Sequence, residues 1–179
     1  MKHLAVIAAL LLAAPAAAAE DALGPAANAA YLAASAARPG TIIRPSGLQY
    51  RILRRGFGRR VTANDVAKIA YSIRLVNGVV TDRTPANLPT ALAVSTAGLA
   101  GLSEALLLMH EGDRWELVMP ANLALGSRSS GGVPPGQVLT MDLTVISAAA
   151  PQPGDAPPDN PLSVWGNGYS QGATFTIKP

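Results

Sequence analysis

The sequence predicts an α+β fold in which several strands pack against one short helix. Three features support this prediction. The segment "LQYRIL", from residue 48, alternates side chains with the period of two that is typical of half-buried strands. Asn77-Gly78 lies between two further apolar segments and is typical of a β-hairpin, because both residues tolerate positive φ. Residues 101–113 instead repeat apolar side chains with the helical period.

The N-terminal residues 1–19 predict a secretory signal peptide. Lys2 and His3 precede an apolar run, and small residues lead to an Ala-x-Ala cleavage site at residues 17–19. A retained membrane anchor is the alternative, but an anchor needs about 18 or more strongly apolar residues. Here the run continues only as alanine after Pro15. We therefore expect an exported, periplasmic protein.

Residues 20–43 predict a short helical lead-in to the domain. The stretch is rich in alanine, Pro25 suits a first helical turn, and Arg38-Pro39-Gly40 suits a stop. It contains no long amphipathic helix of the kind that makes a strong dimer arm. We therefore expect a monomer or a weak dimer.

The main domain is predicted to cover residues 44–148. After the first strand, residues 66–76 and 79–82 are expected to pair across the Asn77-Gly78 hairpin. "RWELVMP" and "VLTMDLTVIS" predict two later strands.

One helix interrupts the predicted strands. Its apolar stripe lies at spacings of i, i+3, i+4 and i+7, which places one face on the sheet, and Gly112 supplies the stop. The stripe consists of Leu102, Ala105, Leu106 and Met109.

Residues 149–179 predict a proline-rich linker and tail. "AAAPQPGDAPPDNP" has too few apolar side chains to build a core. The final segment carries Trp165, Tyr169 and Phe175, and the sequence leaves open whether it folds back or docks on something else.

The composition excludes most catalytic chemistry. The chain has no cysteine, and the mature chain would keep a single histidine, His110. We therefore expect no metal and no cofactor, and any Ser-His-Asp triad would have to use His110. If a chain with these residues is an enzyme, its reaction must proceed without a nucleophilic side chain and without a metal ion. Rotation about an X-Pro bond is such a reaction, because no covalent bond is broken.

Arginines are concentrated in residues 44–60. One interpretation is contact with phosphate or an anionic surface, and the other is a strand and turn whose arginines face water. We expect no nucleic-acid partner. Any anionic contact would be weak and would use Arg51, Arg54, Arg55, Arg59 and Arg60.

Four stretches together resemble the FKBP-type peptidyl-prolyl isomerases, in particular the exported bacterial ones. They are "PSGLQYRIL", "NGVVTD", "LSEALLLMHEGDRWELVMPANLALG" and "GGVPPGQVLTMDLTVI", in the family order between residues 45 and 147. The resemblance implies an antiparallel sheet wrapped around one short helix. It also implies a flap over a proline pocket, in which Gly131-Gly132 allow closure and Pro134-Pro135 fix the return of the chain.

The resemblance implies a pocket that has lost most of its aromatic side chains. Tyr71 and Asp82 are retained at catalytic positions, whereas Leu102 replaces a tryptophan and Leu125 replaces a tyrosine. Tyr71 could instead pack on the helix as a core residue, and Asp82 could pair with Arg74 or Arg83. The implied substrate-binding residues are Leu92, Leu99, Leu102, Leu125, Val133 and Met141.

The resemblance therefore implies a peptidyl-prolyl cis-trans isomerase that acts on unfolded, proline-containing polypeptides in the periplasm. The alternative is a non-catalytic FKBP-fold binding module or chaperone. Leucine and methionine keep the pocket apolar but lose ring stacking on proline, which is worth about 0.5–1.5 kcal/mol per pair.

Overall fold

The computed structural model describes residues 22–151. The predicted signal peptide and nearly all of the predicted tail lie outside this range. The described residues form one sheet with two α-helices, which confirms the α+β prediction and the antiparallel sheet. The elements are α1 (Pro25–Ala36), β1 (Ile42–Ile43), β2 (Gln49–Arg54), β3 (Val66–Arg74), β4 (Val80–Arg83), β5 (Thr90–Ala93), α2 (Ala100–Leu106), β6 (Arg114–Met119) and β7 (Leu139–Ala149).

The sheet has the order β1-β2-β6-β7-β3-β4, and β5 pairs with β3 on the same edge as β4. All pairs are antiparallel. Side chains alternate along β3, so that Ile69, Tyr71 and Ile73 are buried while Lys68 is exposed. The buried residues of β3 belong to the same core cluster as those of α2.

The β3–β4 hairpin is confirmed, although β3 ends at Arg74 rather than at residue 76. Gly78 has the positive φ of 86° that the turn requires. Asn77 does not have a positive φ. It stabilises the turn through its side-chain oxygen, which accepts the backbone N–H of Val79 at 3.1 Å. The turn is closed by the Leu75 N–H, which donates to the Val79 carbonyl at 3.0 Å.

The predicted end of α2 was wrong. The helix ends at Leu106, six residues before Gly112, and the chain continues through tight turns to β6. Met109 lies beyond the helix but is fully buried, like the other three members of the apolar stripe. His110 therefore lies in the α2–β6 connection, where its backbone N–H donates to the buried carboxylate of Asp113 at 2.7 Å.

Helix α1, the predicted lead-in, is docked on the domain through a buried amide. The Asn28 side chain accepts the backbone N–H of Val138 at 2.7 Å and donates to the Gln137 side chain at 3.1 Å. Gln137 in turn donates to the Leu23 carbonyl at 3.0 Å. Asn28 is only 5% exposed, so these bonds are shielded from water. They connect α1 to the start of β7.

Candidate functional site

Tyr71 and Asp82 form the polar part of the candidate site. Tyr71 points inward from β3, and Asp82 lies opposite Ile73 on β4. This register allows the Tyr71 hydroxyl to donate to the Asp82 carboxylate at 2.9 Å. Within the described residues, no ion pair joins Asp82 to either of its neighbouring arginines. The predicted alternative pairing of Asp82 with Arg74 or Arg83 was therefore wrong.

The Tyr71 hydroxyl is held in its neutral form. Burial raises the pKa of Tyr71, and the hydrogen bond to Asp82 and the negative charge of that carboxylate raise the pKa further. At neutral pH the hydroxyl is therefore a hydrogen-bond donor whose present acceptor is Asp82.

Thr84 fixes the backbone beside Tyr71. Its hydroxyl oxygen accepts the Tyr71 backbone N–H at 3.1 Å, and its own backbone N–H donates to the Tyr71 carbonyl at 3.0 Å. Sequence reasoning did not find this residue. Its role depends on the β3–β4 register, and no local pattern around Thr84 indicates that register.

The predicted apolar site residues and Tyr71 all belong to the core cluster of the domain, which also contains nearly all the other buried apolar side chains. The exposed fractions of the predicted apolar residues are 3% for Leu125 and at most 1% for the others, compared with 7% for Tyr71. Asp82 lies at the margin of this cluster and is half-buried. The cluster is therefore closed to solvent. Its predicted members are Leu92, Leu99, Leu102, Leu125, Val133 and Met141.

Residues 126–136, which we call the flap, carry Val133 into this cluster. At the tip, Ser130 and Val133 exchange backbone hydrogen bonds of 2.9 and 3.3 Å around Gly131-Gly132. Both glycines have positive φ, 56° and 79°, which a two-residue turn of type I′ requires. At the base, the Gly136 N–H donates to the Gly126 carbonyl at 2.8 Å.

A backbone donor lies at the start of α2. The Leu99 carbonyl accepts the N–H groups of Leu102 and Ser103, each at 3.1 Å, and so begins the helix. No backbone carbonyl among residues 22–151 accepts the N–H of Leu99 itself. At Leu125, by contrast, the side chain offers no hydroxyl.

Residues 22–151 contain no group of three or more histidine, aspartate or glutamate side chains that could hold a metal ion.

The clustered arginines are largely occupied by contacts within the protein. Arg51 pairs with Glu116 at 2.9 Å, and Arg59 pairs with Asp65 at 2.7 Å. Burial by itself raises the pKa of Asp65, but hydrogen bonds from Arg59 and Thr62 outweigh it and hold that pKa below its usual value. Arg54 and Arg60 donate to backbone carbonyls.

Residues 58–146 match the family model of the FKBP-type peptidyl-prolyl cis-trans isomerases. The chain belongs to this family. The FKBP-type domain is 39% identical over 120 residues to the outer membrane protein MIP of Legionella longbeachae, covering 66% of this chain and 51% of that protein. It is 32% identical over 117 residues to the FKBP-type 22 kDa peptidyl-prolyl cis-trans isomerase of Escherichia coli, covering 65% and 57%. The chain thus spans a little over half the length of these relatives.

The FKBP-type fold also matches solved structures. A peptidyl-prolyl cis-trans isomerase from Pseudomonas syringae has a TM-score of 0.64 and 26% identity, covering 69% of this chain and 92% of that one. FkpA from Escherichia coli has a TM-score of 0.67 and 25% identity, covering 70% and 60%. These matches confirm the resemblance on which the predicted fold was based.

Proposed function

We propose that the FKBP-type domain catalyses cis–trans isomerisation of X-Pro bonds in unfolded polypeptides. The observation that carries this proposal is the Tyr71–Asp82 hydrogen bond at the edge of the closed apolar cluster, with the flap against it. Family membership and the names of the relatives support it as well.

The mechanism requires a site that binds the twisted amide better than the planar one. The barrier to rotation is about 18–20 kcal/mol and arises from amide resonance. A twisted amide has lost that resonance and carries less charge separation, so an apolar surrounding destabilises it less than the planar form. The leucines and Met141 would provide that surrounding, and the Leu99 N–H is available to orient the peptide carbonyl.

Binding a prolyl ring requires the cluster to open. Because its apolar members are at most 3% exposed, substrate can reach them only if a covering segment moves. The flap suits this role, because it carries Val133 into the cluster and has glycines with positive φ, Gly126 and Gly136, at its base. We propose that the flap lifts at these two glycines and that Val133 closes over the ring.

Refolding of a protein limited by proline isomerisation tests this function. We expect the full chain to accelerate the slow phase and Tyr71→Phe to reduce kcat/KM about three- to tenfold, since one partly buried hydrogen bond contributes about 1 kcal/mol. Tyr31→Phe is the matched control, because it removes a hydroxyl that bonds Thr140 on the α1 side. No acceleration at high protein concentration would refute the proposal.

A second candidate function is a non-catalytic binding module or chaperone. The observation that favours it is the leucine at position 125, which leaves the apolar cluster without a side-chain donor there. Suppressed aggregation of a proline-free client, with no effect on the isomerisation-limited phase, would support this function over catalysis.

We also propose that the protein is exported to the periplasm and meets unfolded chains there. The charge and hydropathy pattern of residues 1–19 supports export. Within residues 22–151 no helix is long and apolar enough to cross a membrane. Sequencing the N-terminus of the purified protein tests this, and we expect it to begin near residue 20. An intact Met1 in fractions from the cell envelope would contradict cleavage.

We also propose that the domain binds anionic surfaces weakly and that it is a monomer or a weak dimer. Arg55 supports the first, because it is exposed and has no acidic partner within residues 22–151. We expect weak, salt-sensitive binding to anionic vesicles.

Sedimentation over a range of concentrations tests the oligomeric state. A stable dimer throughout the range would contradict the proposed monomer or weak dimer.

A further inference from the structure

A groove, which we call the aromatic groove, lies beside the connection that follows α2, and its lining includes neither Tyr71 nor any other predicted site residue. The groove has a volume of about 500 Å³. Two of its rings, Tyr50 and Trp115, stack with centroids 4.4 Å apart and planes within 9°. Its apolar lining consists of Tyr50, Ile52, Phe57, Leu108 and Trp115.

Phe57 is the unusual member of this groove. Its side chain is 96% exposed, although the other apolar side chains that line the groove are buried or half-buried. A large exposed ring beside an apolar groove is typical of a surface that another segment covers. The Tyr71 site has no comparable exposed ring.

The aromatic residues of the chain are concentrated in two places. The chain has eight, of which three line the aromatic groove and three lie in the tail as Trp165, Tyr169 and Phe175. This distribution contrasts with the proline site, where leucine and methionine occupy the predicted positions. Aromatic pairs favour stacked or edge-to-face contacts, which add to the effect of burial. The tail therefore has the chemistry that the groove would bind.

The end of β7 lies beside the loop that carries Phe57. The Ala148 N–H donates to the Glu111 carboxylate at 2.7 Å, and the Glu111 carbonyl accepts the Gly58 N–H at 3.1 Å. Arg59 also donates to the Ala148 carbonyl at 2.9 Å. The chain thus leaves the domain beside the loop that carries Phe57.

The connecting segment is long enough to reach the groove. Trp165 follows Pro151 by fourteen positions, and a chain of that length spans at most about 50 Å when fully extended. Because the tail is covalently attached to the domain, its docking is intramolecular and weak contacts suffice.

Charge favours the same contact. Arg55 lines the groove, is exposed and has no acidic partner within the described residues. The Asp113 carboxylate in the groove already accepts the backbone N–H groups of Gly56 and His110. The segment between the domain and Trp165 carries Asp155 and Asp159 and no basic residue.

We propose that residues 160–179 dock on the aromatic groove of their own chain. Trp165, Tyr169 and Phe175 supply the rings that cover Phe57 and the Tyr50–Trp115 stack, and Asp155 and Asp159 lie toward Arg55. The docked tail occupies a surface separate from the Tyr71 site, so the inference does not depend on the proposed isomerase function.

Fluorine NMR of the full chain labelled with 5-fluorotryptophan tests this docking. The chain has two tryptophans, and Trp165→Phe assigns the second resonance. We expect the Trp165 resonance to show a reduced H₂O/D₂O isotope shift, which indicates a shielded ring. Phe57→Ser should raise that shift toward the value of a free indole, whereas Leu88→Ser should not. Leu88 is a suitable control because it is 65% exposed and lies outside the groove lining.

Three results would overturn the proposal. A Trp165 isotope shift equal to that of free tryptophan in the unaltered chain would show that the tail is not docked. A shielded Trp165 that does not respond to Phe57→Ser would place the tail elsewhere. Shielding that disappears on dilution would identify the tail of a second copy as the occupant.

Discussion

At the level of single residues, Tyr71 is both a core side chain and a hydrogen-bond donor to Asp82. It packs in the core cluster as a strand residue, and its hydroxyl reaches Asp82 at the edge of that cluster. A ring that is 7% exposed can be both structural and part of a binding site. The pKa of the Tyr71 hydroxyl therefore reports on the burial of this side chain and on its hydrogen bond to Asp82.

The raised pKa of Tyr71 predicts how stability depends on alkaline pH. The unfolded chain releases this proton near the usual value of 10.0, while the folded protein retains it. Above that pH the unfolded state binds fewer protons, so the free energy of unfolding falls as pH rises. We expect the unaltered chain to lose about 1 kcal/mol more than Tyr71→Phe between about pH 8 and about pH 11. Equal losses in urea unfolding would contradict the burial of this hydroxyl.

Leu125 and Leu102 are expected to respond oppositely to larger side chains. Leu125 is 3% exposed and would lie against substrate in the proposed site, so Leu125→Tyr can supply a hydroxyl there and should raise kcat/KM about fivefold. Leu102 is fully buried, so Leu102→Trp should lower the free energy of unfolding by about 1–3 kcal/mol through overpacking. Leu107→Trp, at a side chain that is 38% exposed, is the control. A stable Leu102→Trp protein with a raised rate would show that the cluster contains space for an indole.

At the level of elements, the sequence predicted the long or strongly patterned segments and missed the short ones. The β3–β4 hairpin follows from alternation and Asn77-Gly78. Strand β1 has two residues and β5 has four, which is too few for a pattern, and both exist because a neighbouring strand pairs with them. The end of α2 was missed because Met109 keeps the helical spacing and packs in the core after the helix has ended.

Helix α1 is expected to depend on Asn28. Asn28→Ala would leave the buried Val138 N–H without its acceptor, which costs about 1–3 kcal/mol, and would also remove the bond to Gln137. Ala30→Ser, at an exposed position of the same helix, should change the free energy of unfolding by only about 0.5 kcal/mol. Chemical denaturation measures both. Similar small effects would mean that α1 is not part of the cooperative unit.

At the level of the whole molecule, the predicted apolar site residues are all buried, with side chains at most 3% exposed. The resemblance predicted Tyr71, Asp82 and the apolar residues as site residues from their order along the chain, and their role as a binding site stays a prediction. It could not locate the Tyr71–Asp82 bond or the contribution of Thr84, since both depend on the strand register. Closure of the cluster depends on how the flap packs, which no local sequence pattern specifies. Catalysis therefore requires the domain to open.

Exchange NMR of a short X-Pro peptide mixed with the full chain tests this account most directly. Without a catalyst, cis and trans forms interconvert over tens to hundreds of seconds. We expect exchange cross-peaks between the two forms on a time scale of a second or less, and weaker cross-peaks with Tyr71→Phe at the same concentration. No cross-peaks at equimolar protein and peptide would contradict catalysis at the Tyr71 cluster.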